Sequence, residues 1–436
     1  MMLRHFAHGS PDFKADFDAF LREDRSSDHD VVTSVTRILD DVETKGGKAV
    51  ADYTAKYDEL QIDPTTLDSD NVNLHALAAE CPQDLCEAID FAHDRIAAYH
   101  MAQRPSDHSF TDSLGVELGW RWTPLDSVGV YVPGGRASYP SSVLMNTVPA
   151  RIAGVARIVM VAPAPGGELA PSVAYAALKA GVHEYYPIGG AQAIGALALG
   201  AARLKPVDKI VGPGNAYVAE AKRQVFGRVG IDTIAGPSEV LVIADHTANP
   251  EWVAADLLAQ AEHDPSSQSI LVTVDEAVGK AVEIAVENQL KDLATGERAR
   301  TSWDRHGAII HVPDLATAAE ISNRVAPEHL ELAIADPDAL LPLIRHAGAV
   351  FLGHMTPEAL GDYVTGSNHV LPTSRSARFG SGLGLNDFMK RMSIQRVSPK
   401  GFAALAPAAL RLAEAERLPA HARSITIRSN PGGGDG

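Results

Sequence analysis

The sequence contains few cysteines, few aromatic residues and no long apolar run. Among 436 residues there are only two cysteines, Cys81 and Cys86, and their spacing fits neither a CxxC redox motif nor a zinc ribbon. We interpret them as buried apolar residues. No stretch approaches the roughly 18 apolar residues of a membrane span, and the N-terminus has no apolar run of signal-peptide length. We therefore expect a cytoplasmic protein without a disulfide scaffold.

Positive charge is also scarce. The chain has 38 Lys and Arg against 55 Asp and Glu, a formal net charge of −17 (38 − 55). Such a surface repels nucleic acid and anionic membrane, so neither is expected as a partner. With 45% apolar, 21% charged and 6% aromatic residues, the composition is typical of a globular α/β enzyme, and the length suggests about three domains of ~150 residues.

Short apolar runs alternate with helical ones through the middle of the chain. Helices are predicted at 28–45, 47–60 and 82–101, and the N-terminal arm carries Phe13, Phe17 and Phe20 at helical spacing. From residue 128 to about 353, runs rich in β-branched residues alternate with helical segments, which predicts parallel sheets with crossover helices. The predicted strands are 128–132, 157–162, 184–188, 209–211, 240–244, 269–274, 308–312, 330–334 and 349–352.

So many strands would make one open sheet unusually large, and we therefore predict an α/β fold of two doubly wound units with small helical terminal segments. After a loop at 373–384, helices are predicted from Asn386 and from Ala403. The proposed domains are an N-terminal helical arm at 1–25, a first α/β domain from 26–127 plus 240–380, a second α/β domain at 128–239, and a small helical C-terminal domain at 381–436.

Glu328 and His329 are the first candidates for proton chemistry. Pro327 biases Ala326 away from helix, and the alternation that follows indicates a strand, so the pair should lie at a strand's entrance. There a histidine base and a carboxylate that activates water reach one cavity. The alternative is an ordinary solvated loop.

Three glycine turns each stand between a predicted strand and a helix. They are Val-Pro-Gly-Gly at 132–135, Gly-Gly-Ala-Gln at 189–192 and Gly-Pro-Gly-Asn at 212–215. Such turns let a nucleotide approach the backbone and a helix N-terminus. The third turn departs from the GxGxxG dinucleotide-binding motif at its last position. Each of the three is also compatible with a simple tight turn.

A metal site is the third candidate. Gln260 and His263 are three residues apart and share a helix face, and Asp362, His369 and His421 are further possible ligands. Oxygen and nitrogen ligands without thiolate suit zinc at a catalytic position. The same spacing is also typical of an ordinary helix end with a histidine near the C-terminal dipole. Together the candidates fit a zinc hydrolase or a metal-assisted dehydrogenase, whereas a non-catalytic binding protein would leave the Glu-His pair unexplained.

Seven stretches in one order resemble the histidinol dehydrogenase family. They lie at 129–135 with 139–143, 189–193, 211–218, 235–242, 257–264, 326–331 and 361–372, and the resemblance covers most of the chain from about 115 to 423. It implies two incomplete Rossmann-like units and a homodimer. It also implies oxidation of L-histidinol to L-histidine in two NAD-dependent steps through the bound aldehyde, with zinc holding the substrate; relatives act on other small alcohols.

The resemblance also assigns site residues by motif position. Glu328 and His329 match the catalytic pair, and Tyr131, Gln192 and Asn215 match the NAD contacts. The zinc ligands of the family match Gln260, His263, Asp362 and His421. The substrate contacts that the resemblance implies are these four residues together with His329, Ser238 and Glu416. Because both cysteines lie outside every motif, aldehyde oxidation through a hydrate is favoured over a thiohemiacetal.

Overall fold

The computed structural model describes residues 3–23, 29–68, 73–134, 139–234 and 236–429. The strands are β1 (Arg4–Ala7), β2 (His108–Thr111), β3 (Val116–Pro124), β4 (Ser127–Tyr131), β5 (Arg157–Val161), β6 (Glu184–Tyr186), β7 (Lys209–Val211), β8 (Gly230–Ile231), β9 (Glu239–Ala244), β10 (Gln268–Thr273), β11 (Ala308–His311), β12 (His329–Ala333), β13 (Ala349–Leu352) and β14 (Met389–Val397).

The helices confirm the predicted alternation. They are α1 (Phe13–Phe20), α2 (His29–Lys45), α3 (Gly47–Tyr57), α4 (Leu74–Ala79), α5 (Gln83–Ala102), α6 (Pro140–Ala153), α7 (Pro171–Ala180), α8 (Gly190–Leu199), α9 (Ala216–Val225), α10 (Pro250–Ala261), α11 (Glu276–Asp292), α12 (Gly296–His306), α13 (Leu315–Val325), α14 (Pro337–Leu340), α15 (Glu358–Tyr363), α16 (Pro399–Ala415) and α17 (Pro419–Ser429). Among the described residues, no helix combines the length and apolar character needed to cross a membrane.

The chain forms two compact units. The larger comprises Met1–Gln103 with Leu125–Phe388, and the smaller comprises Arg104–Pro124 with Met389–Gly436. The larger unit contains both parallel sheets that the sequence predicts.

The first parallel sheet has six strands in the order β1-β11-β10-β9-β12-β13. Val240 and Val242 of β9 pack with α10, α11 and α12, whereas Leu241 and Ile243 pack with α1 and α13 on the opposite face. Because both faces are covered, the strands read as apolar runs rather than as alternating ones. Since His329 is in register with Val240, His329 shares the face that contacts α10.

The N-terminal arm contributes a strand as well as the expected helix. β1 pairs in parallel with β11 at the edge of the six-stranded sheet, and the predicted helix α1 buries Phe13, Phe17 and Phe20 against it. The arm is therefore not purely helical. Four residues are too few to show a strand period, and only the partner strand fixes their conformation.

The second parallel sheet has five strands in the order β6-β5-β4-β7-β8. The chain starts at the centre with β4, moves outward to β6, and returns to the other side of β4 with β7. The loops after β4 and β7 therefore diverge at a topological switch point, which is where open α/β sheets bind ligands.

The segment that begins at Leu385 corrects the prediction of a helix from Asn386. A single 3₁₀ turn, Leu385–Phe388, is followed by β14, which pairs antiparallel with β3 along nine residues. Together with β2 they form a three-stranded sheet, joined in this unit by α16 and α17. The pairing also groups 104–124 with the C-terminal segment rather than with the first α/β domain. Its partner lies some 270 residues away, so no local pattern reveals it.

Candidate active site

Glu328 and His329 lie at the amino end of β12, as the sequence predicts. Helix α13 ends at Ala326, whose φ of +50° is left-handed, and β12 begins at His329. Both side chains are buried, with 6% and 4% of the residue exposed. A solvated loop is therefore excluded, and a buried titratable pair indicates a functional site.

The hydrogen bond of His329 defines which ring nitrogen is free. Nδ1 lies 3.1 Å from the carbonyl oxygen of Glu239. A carbonyl can only accept, so Nδ1 carries the proton and donates it. Nε2 then holds a lone pair in the neutral ring, and within the described part of the chain it has no hydrogen-bond partner. His329 is thus oriented as a proton acceptor through Nε2.

Glu328 is held by the neighbouring strand β9. Its Oε2 accepts a hydrogen bond of 3.0 Å from the backbone N–H of Glu239 and lies 3.9 Å from His329 Nδ1. Burial raises the pKa of Glu328 to about 7, and the charge of His329 opposes that rise. A carboxyl group with that pKa exchanges protons readily near neutral pH.

Helix α15 adds two carboxylates to the pair. Glu358 and Asp362 are four residues apart, hence on one helix face, with oxygens 3.6 Å from His329 Nδ1 and 3.7 Å from its Nε2 respectively. Burial lowers the pKa of His329, but these carboxylates and Glu328 outweigh it and raise that pKa well above its usual value. Burial also raises the pKa of Glu358 to about 8.

Glu358 is a functional candidate that the sequence analysis missed. Its ligand atom lies within 4.8 Å of those of His329 and Asp362, a grouping compatible with a metal ion. Its backbone N–H donates to Glu331 Oε1 at 2.7 Å, which anchors α15 on β12. The available signal was its position four residues before Asp362.

Gln260 and His263 come to the same end of the sheet because α10 runs back along β9. Gln260 is fully buried, and its Nε2 is 3.4 Å from His263 Nδ1. Among the residues that the structure describes, Gln260 Oε1 is buried without a hydrogen-bond partner. Burial lowers the pKa of His263, opposed by the charge of nearby Asp362.

The donor set fits a zinc ion. A buried amide oxygen without a partner is costly unless a cation or donor satisfies it, and a neutral imidazole and a carboxylate stand beside it. His369 also borders this set, because its Nδ1 donates to the carbonyl oxygen of Asp362 at 3.0 Å. Burial lowers the pKa of His369 and so favours its neutral form.

Three further predicted residues lie elsewhere in the chain. Ser238 immediately precedes β9 and therefore Glu239, which contacts both members of the catalytic pair. Glu416 ends α16 and His421 lies in α17, both exposed and both in the smaller unit. The structure thus brings together Gln260, His263, Asp362, Glu328 and His329.

The described residues of the three glycine turns lie at the carboxyl edge of the five-stranded sheet, and Gly135 of the first turn lies outside the described residues. Tyr131 ends β4, and its hydroxyl oxygen accepts a hydrogen bond of 3.2 Å from the N–H of Gly190, which joins the first turn to the second. Gln192 is buried in the first turn of α8. Asn215 caps α9 by accepting from Tyr217 N and Val218 N at 3.0 and 3.2 Å. Two helix N-termini therefore start at this edge.

A cavity of about 590 Å³ lies beside the first of these turns. Pro133 and Gly134 after β4, Pro163 after β5, the start of α7 and residues of α4 line it. The volume lies within the range of small-molecule and cofactor sites, and the position at the carboxyl ends of strands agrees with nucleotide binding.

Comparison with known proteins agrees with this geometry along the whole chain. A sequence model of the family described as "Histidinol dehydrogenase" matches residues 21–429. Histidinol dehydrogenase of Caulobacter vibrioides is 56% identical over 426 residues, which cover 98% of this chain and 99% of the relative. That of Rhizobium meliloti is 57% identical over 420 residues, covering 96% and 97%.

A solved structure extends the agreement to three dimensions. The crystal structure of histidinol dehydrogenase from Elizabethkingia anophelis is 36% identical, covers 98% of both chains and superimposes with a TM-score of 0.93. The two parallel sheets thus match the fold of a solved histidinol dehydrogenase, and the chain belongs to the histidinol dehydrogenase family of oxidoreductases.

Proposed function

We propose that the protein oxidises L-histidinol to L-histidine through a bound aldehyde, with two molecules of NAD reduced and with zinc at the substrate site. The single observation that carries the proposal is the orientation of His329. Its Nδ1 is held by the Glu239 carbonyl, and its Nε2 faces Asp362 beside the zinc donor set. An alcohol that loses a hydride must also lose its hydroxyl proton, and His329 in its neutral form is the base that takes it at Nε2. A cation held beside Asp362 would favour that neutral form, because it would counter the carboxylates that raise the pKa of His329.

The second oxidation needs a water molecule. Glu328 lies next to His329, and its pKa of about 7 lets the carboxylate form accept a proton from water as the water adds to the aldehyde. His329 returns the proton of the first oxidation to the aldehyde oxygen as the water adds, which completes the hydrate, and then accepts a proton from the hydrate as the second hydride leaves. The route needs no thiol, and Cys81 and Cys86 are free cysteines outside the site. Burial also raises the pKa of Cys81 to about 11, which keeps it protonated.

Gln260, His263 and Asp362 are the residues of the larger unit that would hold zinc, and NAD would contact Tyr131, Gln192 and Asn215. When bound, zinc supplies a cation that holds the substrate, and NAD supplies the hydride acceptor. The residues around them exclude water: Gln260, Glu328 and His329 are all buried.

We further propose a homodimer whose active sites are shared. Each site would take Glu328, His329, Gln260, His263, Asp362 and Ser238 from one subunit, with the partner's Glu416 and His421 completing it. Both of these last two side chains are exposed in the smaller unit, so they are accessible to a partner subunit. Two-fold symmetry makes the exchange reciprocal.

Mixed dimers test the sharing. An inactive His329→Asn chain and an inactive His421→Asn chain are combined under conditions of subunit exchange. Shared sites put both defects in one site of the heterodimer and leave the other whole, so activity returns. A mixture as inactive as its parents would show that each site is built from one chain.

The reaction itself is tested by steady-state assay of the purified protein with L-histidinol and NAD. Two NADH per histidinol consumed are expected. Turnover of a different small alcohol without histidinol oxidation would assign the protein to another substrate. Substrate hydrolysis independent of NAD would indicate a zinc hydrolase.

A further inference from the structure

The third glycine turn starts at a residue that leaves no room for a side chain. Gly212 follows β7 with a φ of +112°, and a Cβ added there would lie 2.0 Å from the carbonyl oxygen of Tyr131. The backbones at the ends of β4 and β7 therefore touch at the switch point. Any movement of Gly212 alters the space between two turns that we assign to NAD.

Both backbone groups of Gly212 are bound by buried charged side chains. Its N–H donates to Asp232 Oδ2 at 2.7 Å, and its carbonyl oxygen accepts from Lys222 Nζ at 3.0 Å. Lys222 and Asp232 also form an ion pair with each other, and their side chains are only 2% and 3% exposed. Lys222 comes from α9 and Asp232 from the segment after β8, so the pair links three segments.

Stability alone does not account for such an arrangement. Desolvation of a buried ion pair offsets most of its attraction, and well-packed apolar residues of similar volume often stabilise a fold equally well. Apolar side chains, however, cannot donate to a carbonyl or accept from an N–H. What the charged pair provides beyond packing is a fixed orientation of the Gly212 peptide groups.

We propose that Lys222 and Asp232 are positioning residues for NAD, which hold the 212–215 turn in its cofactor-binding shape without touching the cofactor. The inference rests on the proposed NAD function. It predicts that the ion pair sets the affinity for NAD, whereas the chemistry at Glu328 and His329 is independent of it.

A double variant separates positioning from stability. Lys222→Met and Asp232→Leu singly each leave one buried charge unpaired, so both should lower the denaturation midpoint. Lys222→Met/Asp232→Leu removes both charges and should regain much of that midpoint. It still lacks both bonds to Gly212, so the KM for NAD should stay raised about tenfold, with kcat at saturating NAD within about twofold of wild type.

The matched control is the ion pair of Arg157 and Glu184 at the opposite, amino edge of the same sheet. Arg157 Nε lies 2.6 Å from Glu184 Oε1, where β5 and β6 begin. Arg157→Met/Glu184→Leu should shift the midpoint and leave the KM for NAD within about twofold of wild type. If the Lys222/Asp232 double variant does not fold, the comparison is repeated with Asp232→Asn and its control Glu184→Gln. The KM for NAD should rise about threefold in Asp232→Asn and should not rise in Glu184→Gln.

Calorimetric titration of NAD into each protein without histidinol gives the affinity independently of turnover. The positioning role would be wrong, and the proposed function untouched, if the NAD affinity recovered together with the denaturation midpoint in the double variant. The same conclusion would follow if Asp232→Asn and wild type had equal KM values for NAD. A wild-type protein that neither binds nor reduces NAD would overturn the proposed function and this inference together.

Discussion

The two parallel sheets place their candidate functional groups at opposite edges. One edge presents mainly backbone groups, and the other presents mainly side chains. At the carboxyl edge of the five-stranded sheet, the proposed NAD contacts surround glycine turns and two helix N-termini, so backbone groups dominate. At the amino edge of the six-stranded sheet, buried side chains from β12, α10 and α15 dominate. Binding an anionic cofactor needs N–H groups and space, whereas proton transfer needs titratable groups removed from water.

The amino edge of the six-stranded sheet holds several buried carboxyl groups, whose loss of water costs stability. Burial raises the pKa of Glu328 to about 7 and that of Glu358 to about 8, because each carboxylate loses water and faces other carboxylates. A cation beside Asp362 would offset part of this cost. Removal of the metal and variants at each edge show whether the two edges function separately.

The largest expected effect comes from metal removal. Dialysis against a chelator should abolish turnover, while circular dichroism and calorimetric NAD binding stay unchanged, since the proposed ligands come from segments already fixed by the core. Zinc should restore activity. Full activity in protein shown by elemental analysis to be metal-free would disprove the site.

Next in size is His329→Asn. Loss of a positioned base should slow alcohol oxidation about 10² to 10⁴-fold and leave the dissociation constant for NAD unchanged, because His329 is not among the proposed NAD contacts. Glu328→Gln should slow mainly the aldehyde oxidation, measured by supplying the aldehyde directly. Negligible changes in both variants would remove the pair from catalysis.

A smaller effect is expected at Asp58, which ends α3 and lies near Tyr131 at the carboxyl edge. Burial raises the pKa of Asp58 to about 6, and its Oδ2 is buried with no hydrogen-bond partner in the described ranges. Because the unfolded value is about 3.9, the folded state binds the proton more tightly, and stability falls as pH rises from about 4 to 6.

Asp58→Asn should remove the fall in stability that accompanies ionisation of Asp58. At pH 7.5 the variant should be more stable by about 1 kcal/mol, a value reduced for the partly exposed carboxyl, and below pH 4 the difference should vanish. Urea denaturation at both pH values measures it. A gain of equal size at pH 4 and 7.5 would show that ionisation of Asp58 is not the cause.

The smallest effect is expected from Cys81→Ser combined with Cys86→Ser, since neither edge uses a thiol. Both oxidation rates should stay within about twofold of wild type. A variant that releases the aldehyde and forms one NADH per histidinol would refute the hydrate route.

Much of the fold was predictable because its pattern is local. The buried strands of both sheets read as apolar runs, and α2, α3 and α5 were predicted within a few residues. β1 and β14 were not, since β1 is very short and both are fixed by their pairing with distant strands. The same distinction separates Asp362, which lies in a recognised motif, from Glu358, whose role is indicated by its distance to His329 in the folded chain.

The sequence by itself determined the α/β class, the glycine turns, the placement of the Glu-His pair at a strand entrance and, through its motifs, the family. These depend on periodicity, backbone freedom at glycine and residue order, which are properties of short segments. The tertiary structure alone decided which nitrogen of His329 is free, that Gln260 Oε1 has no partner among the described residues, and that Lys222 and Asp232 bind Gly212. Those features depend on distances between side chains far apart in the chain and on the removal of water around them, which only packing can set.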